Sequence, residues 1–404
     1  MNDTMEFAKA RDLLLGLVSP VGTERAALNA CAGRVLAQDL IAAENIPPFD
    51  RSPYDGYAFR AQDTQDASKA HPVTLAILEE VPAGAVPEKT VTAGTATKIL
   101  TGAPIPPGAD CVCMYEKTAF TKEAVTLFAP MQPGENVVRA GEDVKKGAVL
   151  ARSGDVIDTG IAGTLCAQGE AFPQVYRRLR VGIISTGNEV VEADAALMPG
   201  KIRNSNRWTL TAALVKEGME PVYLGLAGDE TDNIARLIEA GLTACDAVLL
   251  TGGVSVGDYD LTPAAMESAG VPVLVRGVNL KPGMACAYGV RDGKPVCGLS
   301  GNPASALTNF FCIALPVLRK LAGRNDPIPP EITVTLKNGF RKKSPGTRVL
   351  RGRLDLTDGT VRMVLPDDQG NVLLSSTIGC NVMAVVPAGS GALPEGTVLK
   401  GFML

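Results

Sequence analysis

The chain has one histidine, His71, in 404 residues. A Ser-His-Asp triad or a histidine-based metal centre therefore has nothing further to draw on. His71 itself precedes a proline in a polar stretch and reads as solvent-facing. No apolar run is read as reaching the roughly 18 residues of a membrane span. The short run 13–18 follows Glu6, Arg11 and Asp12 and reads as a helix face, not a signal peptide. There is no long basic run, and 39 basic against 43 acidic residues leave a net charge of −4. Such a balance excludes a nucleic-acid footprint. The nine cysteines are scattered, odd in number and without zinc spacing. Cys111-Val-Cys113 is the one close pair, and within a strand its thiols share a face. Thiols used as small apolar residues fit a reducing compartment, the cytoplasm.

What is abundant is turn chemistry. Glycine (43) and proline (28) together make about 18% of the chain, against a usual ~12%, which implies many turns and a large β component. Hydrophobic residues, at 46%, suffice for substantial cores. The length suggests two to four domains at ~100–200 residues each. Four segments follow from the pattern. Residues 5–45 with 140–172 form an N-terminal linker subdomain, beginning with an amphipathic helix over 5–18. Thr23 is expected to cap a short helix to Cys31, and 34–42 to form a strand. Residues 46–139 are a β-rich insertion without defensible helix. Residues 173–326 form an α/β domain, and 331–404 a small β barrel or sandwich.

The α/β segment carries the informative loops. The apolar run 247–250 reads as a buried strand and leads into Thr251-Gly-Gly-Val-Ser-Val-Gly257, then Asp258 and Asp260, then a helix from Pro263. Glycines at 252, 253 and 257 let backbone N–H groups approach an anion, while carboxylates suit a divalent cation on a phosphorylated substrate. Strand 180–184 ends in Ser185-Thr-Gly-Asn-Glu189, and strand 294–299 in Ser300-Gly-Asn-Pro-Ala-Ser305. Strand 222–226 ends in Ala227-Gly-Asp-Glu230, with Thr231 able to cap helix 232–242. Alternating strand and helix imply a mostly parallel three-layer sheet, which binds ligands beyond the carboxyl ends of its strands. All four loops fall there.

These motifs are joined in order by Pro47-Pro-Phe-Asp-Arg-Ser-Pro-Tyr-Asp-Gly-Tyr-Ala58, Gly141-Glu-Asp143, Lys281-Pro-Gly283 and Gly301-Asn-Pro303. The set, covering roughly 5–385, resembles the MoeA/gephyrin E-domain family of molybdopterin molybdenumtransferases. The resemblance implies an elongated, L-shaped, homodimeric, cytoplasmic subunit whose α/β domain is similar to the small molybdopterin-binding proteins. It implies insertion of molybdenum from molybdate into adenylylated molybdopterin with release of AMP, aided by Mg2+. The adenylyltransferase that makes that pterin nucleotide is an implied partner; nucleic acid and membrane are not. By resemblance, Asp229 and Asp260 hold the metal and act in catalysis, Glu189 reaches pterin or metal, and Asp55 and Asp143 act at a dimer-interface cleft. Thr186, Gly187, Thr251, Gly252, Gly253, Ser255 and Gly257 would bind the nucleotide, with Ser300, Gly301, Asn302, Pro303 and Ser305 as a second turn. Lys281 and Pro282 would meet molybdate, with Arg351, Ser375 and Ser376 completing an oxyanion pocket. Many relatives carry a second lysine where this chain has Met284, and proline where it has Ser300. A pterin carrier or scaffold, a tungstate-inserting paralogue and a nucleotide pyrophosphatase stay open as other functions.

Overall fold

The computed structural model describes residues 4–254, 261–357 and 359–404, and the chain divides into two compact units. Ser255, Gly257, Asp258 and Asp260 lie outside the described residues.

One unit, 39–152 with 163–171, is built on a six-stranded sheet. Its strand order is Cys111–Met114, Gly56–Phe59, Thr95–Ile99, Val73–Val81, Ala124–Leu127, Thr118–Phe120. Tyr57, Phe59, Leu75, Val125 and Leu127 share a core with Cys111 and Cys113, so the face common to the two thiols is packing surface. All nine cysteines are free. The only helical elements of the stretch 46–139 are 3-10 turns at Ala61–Thr64 and Tyr115–Lys117.

The other unit comprises Met1–Gln38, Ser153–Ala162 and Phe172–Leu404. Helix α1 is Phe7–Gly16. Its main sheet is formed by β1 (Arg180–Thr186), β2 (Glu220–Ala227), β3 (Ala247–Thr251), β4 (Val273–Arg276), β5 (Ala287–Arg291) and β6 (Lys294–Leu299). The order is β2-β1-β3-β6-β5-β4. The pairings among β2, β1, β3 and β6 are parallel, and β6-β5-β4 close the far edge antiparallel. Helices α2 (Ser205–Lys216), α3 (Thr231–Ala244) and α4 (Leu261–Ser268) follow β1, β2 and β3. Every residue of β3 is buried, as a strand covered on both faces requires. Helix α3 buries Ile234, Ala235, Ile238 and Leu242 against Val248 and Leu250 of β3, a helical spacing on one face.

A continuous helix follows β6: α5 (Pro303–Asn309), a π turn (Phe310–Ala314) and α6 (Leu315–Leu321). By length and composition alone it would pass for a membrane span, but 83% of its apolar window is buried, as in a core helix. Phe310, Ile313, Val317 and Leu318 share one core with Leu249 of the sheet and with Val349 and Met383 beyond it. Those last two belong to a closed barrel of β7 (Ile332–Leu336), β8 (Arg348–Asp355), β9 (Arg362–Val364), β10 (Val382–Val386) and β11 (Val398–Met403). The expected barrel is thus present and shares the core of the α/β sheet.

Three local expectations fail. Thr23 opens a strand, Thr23–Arg25, paired antiparallel with Gln174–Tyr176, and only the 3-10 turn Leu28–Ala30 follows. Residues 34–42 hold bridges at Val35 and Leu36 and the two-residue strand Leu40–Ile41. In both places pairing partners distant in sequence override local preference. Thr231 is the first residue of α3, and Glu230 is its cap.

Candidate active site

Parallel strands send their following loops to one edge. There the loops after β1, β2, β3 and β6 enclose a cavity of about 690 Å³. Thr186, Gly187, Glu189, Asp229, Thr251, Gly252, Gly253, Ser300, Gly301, Asn302 and Pro303 all line it. Cross-loop bonds fix the rim. Thr186 Oγ1 donates to the Thr251 carbonyl at 3.2 Å. The Asn188 N–H donates to Asp229 Oδ2, and the Asp229 N–H to Asn188 Oδ1, both at 3.2 Å. The Gly252 N–H donates to the Leu299 carbonyl at 3.2 Å. Gly252 has φ +99°, and a Cβ there would stand 2.5 Å from Thr186 Oγ1 and 2.8 Å from the Thr186 carbonyl oxygen. The backbone comes this close only because the residue is glycine.

A polar network supports the rim. Asn204, buried, caps α2 by accepting from the Arg207 N–H and also accepts from Ser185 Oγ at 3.0 Å. Its Nδ2 donates to Glu192 Oε1 at 3.2 Å. Burial would raise the Glu192 carboxyl, but donors from Tyr223, Arg207 and Asn204 hold it below the usual carboxylate range. Burial and the bond to Glu192 push the Tyr223 phenol up to about 12. The network braces the short parallel ribbon of Val190–Val191 and Ile202–Arg203 beside the cavity.

A second cavity of about 690 Å³ adjoins the first and shares Ala285, Ser300 and Asn302 with it. Lys281, Pro282 and Ser305 line it, as does Met284, whose side chain is exposed. The loop 281–283 is stitched to the barrel, since the Lys281 N–H donates to the Thr347 carbonyl and the Val349 N–H to that of Lys281, both at 2.9 Å. Asn309, wholly buried in α5, clamps the two turns together: its Nδ2 donates to the Gly283 carbonyl at 2.7 Å, and its Oδ1 accepts from the Ser300 N–H at 3.4 Å. Replacing it by leucine leaves both backbone groups unpaired, at about 1–3 kcal/mol for each. Asn309→Leu is therefore expected to move the urea midpoint down; an unchanged midpoint would show the clamp to be idle.

Arg351 is placed differently from its expected role. It is 3% exposed and absent from the lining of either cavity. Its donors go to Ser376 Oγ and to the Gln369 and Gly370 carbonyls. Burial lowers its pKa. It positions the 369–370 segment that lines the second cavity, and Ser376 serves it as acceptor. Ser375 is exposed in the 3-10 turn Leu374–Thr377 and lines neither cavity. Asp55 and Asp143 belong to the other unit. Asp55 Oδ1 accepts from the Thr101 N–H at 2.7 Å and its hydroxyl at 2.8 Å, bonds that hold its carboxyl below the usual range. Asp143 is exposed.

Sequence reasoning missed Asn204, Asn206, Asn279, Lys342, Arg348 and Asn371 as lining residues. No local pattern marks them, apart from Asn204 ahead of α2, where a helix cap is legible.

Residues 5–169 match the family model of the MoeA N-terminal region (domain I and II), and residues 182–320 that of a probable molybdopterin binding domain. The chain is 35% identical over 386 residues to the molybdopterin molybdenumtransferase of Bacillus subtilis strain 168, covering 95% of this chain and 90% of that one. It is 34% identical over 370 residues to the molybdopterin molybdenumtransferase of Staphylococcus aureus strain Mu50, covering 92% and 88%. The crystal structure of the molybdopterin biosynthesis MoeA protein from Pyrococcus horikoshii OT3 superposes with a TM-score of 0.85 at 30% identity, covering 100% of both chains.

Proposed function

The chain belongs to the molybdopterin molybdenumtransferase family, and from that premise we propose that it inserts molybdenum from molybdate into adenylylated molybdopterin, with water cleaving the adenylyl–phosphate bond and AMP leaving. The observation that carries this reading is the junction of two cavities at Ser300 and Asn302. One offers carboxylates and close backbone donors to a pterin phosphate; the other offers cations to an oxyanion. Sharing a wall puts the two substrates within reach of each other, which is the chief requirement for transfer between them.

In this reading Gly252, Gly253 and the Ser300–Asn302 turn hold the nucleotide, and Asp229 and Glu189 face it. Magnesium needs only one or two protein carboxylates besides phosphate oxygens. Among the described residues no group of three or more ligating side chains gathers, but Asp229, with Oδ1 uncommitted, fits the smaller demand. Asp260 would be its companion. When bound, the ion neutralises phosphate charge as the bond to AMP breaks. We place the reaction in the cytoplasm, in a homodimer where Asp55 and Asp143 complete the cleft; the motifs at 47–58 and 141–143 support this.

The test is incubation with adenylylated pterin, magnesium and either molybdate or tungstate, with detection of AMP and of cofactor formed. Absence of AMP would retire the proposal, and product with tungstate alone would reassign the metal. At finer grain, Lys281→Ala should raise the molybdate concentration for half-maximal turnover, and Met284→Lys should lower it. A unit charge ~4 Å from an anion near a protein surface interacts by roughly 4 kcal/mol before desolvation, and ~1.4 kcal/mol is tenfold. An unmoved half-saturation point in Lys281→Ala would take the oxyanion away from this loop.

A further inference from the structure

The second cavity contains a cation that nothing above assigns. Arg348 opens β8, lines the cavity and is only 7% exposed. Its Nε donates to Ser344 Oγ at 2.9 Å, and its guanidinium carbon lies 5.2 Å from the centre of the Phe340 ring. Among the described residues no carboxylate pairs with it, and its two terminal nitrogens have no partner. Other shielded arginines of this unit are neutralised or saturated. Arg319 forms a two-pronged pair with Glu217, Arg34 pairs with Glu24, and Arg351 spends its donors on carbonyls and a serine. A guanidinium removed from water without a counter-ion is costly, so a chain that keeps one open to a cavity has a use for its charge.

A second cation stands beside it. Lys281 and Arg348 face each other across an isolated parallel bridge, so two positive side chains leave neighbouring backbone positions for the same cavity. Lys342 also lines it but lies 3.8 Å from Asp368, which compensates its charge. Position 284, also in the lining, carries a thioether.

We propose that Arg348 is the second cation of the oxyanion site, its two free terminal nitrogens binding oxygens of a tetrahedral dianion while Lys281 Nζ binds another. This rests on reading the cavity as the molybdate site, and it supplies the charge that Met284 withholds. The planar fork suits two oxygens of one anion better than a lysine does.

Equilibrium dialysis of the full chain against molybdate, without pterin, separates this from the functional reading, which stands or falls on AMP release. The wild type should take up molybdate, and Arg348→Met should need about ten- to a hundredfold more for half saturation. In oxyanion-free buffer Arg348→Met should melt at or above the wild-type temperature, because a buried unpaired charge has gone. Unchanged uptake by Arg348→Met, or no uptake by the wild type, overturns the assignment. Should Arg348→Met fail to fold, Arg348→Lys decides: it keeps the charge but loses the fork, so affinity within about twofold of wild type also overturns it.

Discussion

Asp229→Asn is expected to slow AMP release by about a hundred- to a thousandfold, the usual scale for removing one preorganised electrostatic contact to a developing charge. The structural reasons are local. Asp229 follows β2, is exposed and lines the first cavity. Its N–H and carboxylate are tied to Asn188 in both directions, so the side chain is oriented without being buried. Asparagine can repeat the acceptor of that pair while losing the charge. Stability should accordingly stay within about 0.5 kcal/mol of wild type, as for most surface substitutions. Rate and stability separate the readings: a fully active variant means that the acid only shapes a turn, and an inactive, unfolded one means that its bonds to Asn188 matter more than its charge.

The parts of this site legible in the sequence are those made by single loops. β3 and β6 are covered on both faces, so they read as unbroken apolar runs, and the turns after them read as Gly-Asn-Ser clusters. Parallel connection then forces those turns to one edge, and Thr186, Gly252, Asp229 and Asn302 follow from that. The cation cavity was not legible in the same way. Arg348 meets Lys281 through a bridge between positions 67 residues apart, and in a barrel strand it looks like any outward-facing arginine. Asn309 sits in an apolar helix with no local sign that it clamps two distant turns. Arg351 shows the converse: a resemblance placed it at an oxyanion pocket, and its hydrogen bonds are spent on the wall behind. The helix 303–321 is long and largely apolar. That is the signature of a membrane span and equally of a helix wedged between a sheet and a barrel.

The close approach of Gly252 to Thr186 makes the sharpest test of the first cavity. Alanine at 252 meets two penalties. A non-glycine residue at φ +99° sits in sparsely populated backbone space, at about 1–3 kcal/mol. Its Cβ would also lie 2.8 Å from a backbone carbonyl oxygen, which cannot swing aside as a flexible side chain would. The turn itself must shift, and a misplacement of ~1 Å costs about a hundredfold in rate. Gly252→Ala is therefore expected to lose more stability than strain alone explains, together with about a hundredfold of AMP release. Gly293→Ala supplies the control. Gly293 has φ +75° but nothing within 4 Å of the added Cβ, and it lies in the β5–β6 turn, outside both cavities. It should lose only the strain and keep full turnover. Equal stability losses, with turnover intact in both, would mean that the approach at 252 is turn geometry without a ligand to serve, and the anion cradle would have to be sought in another loop.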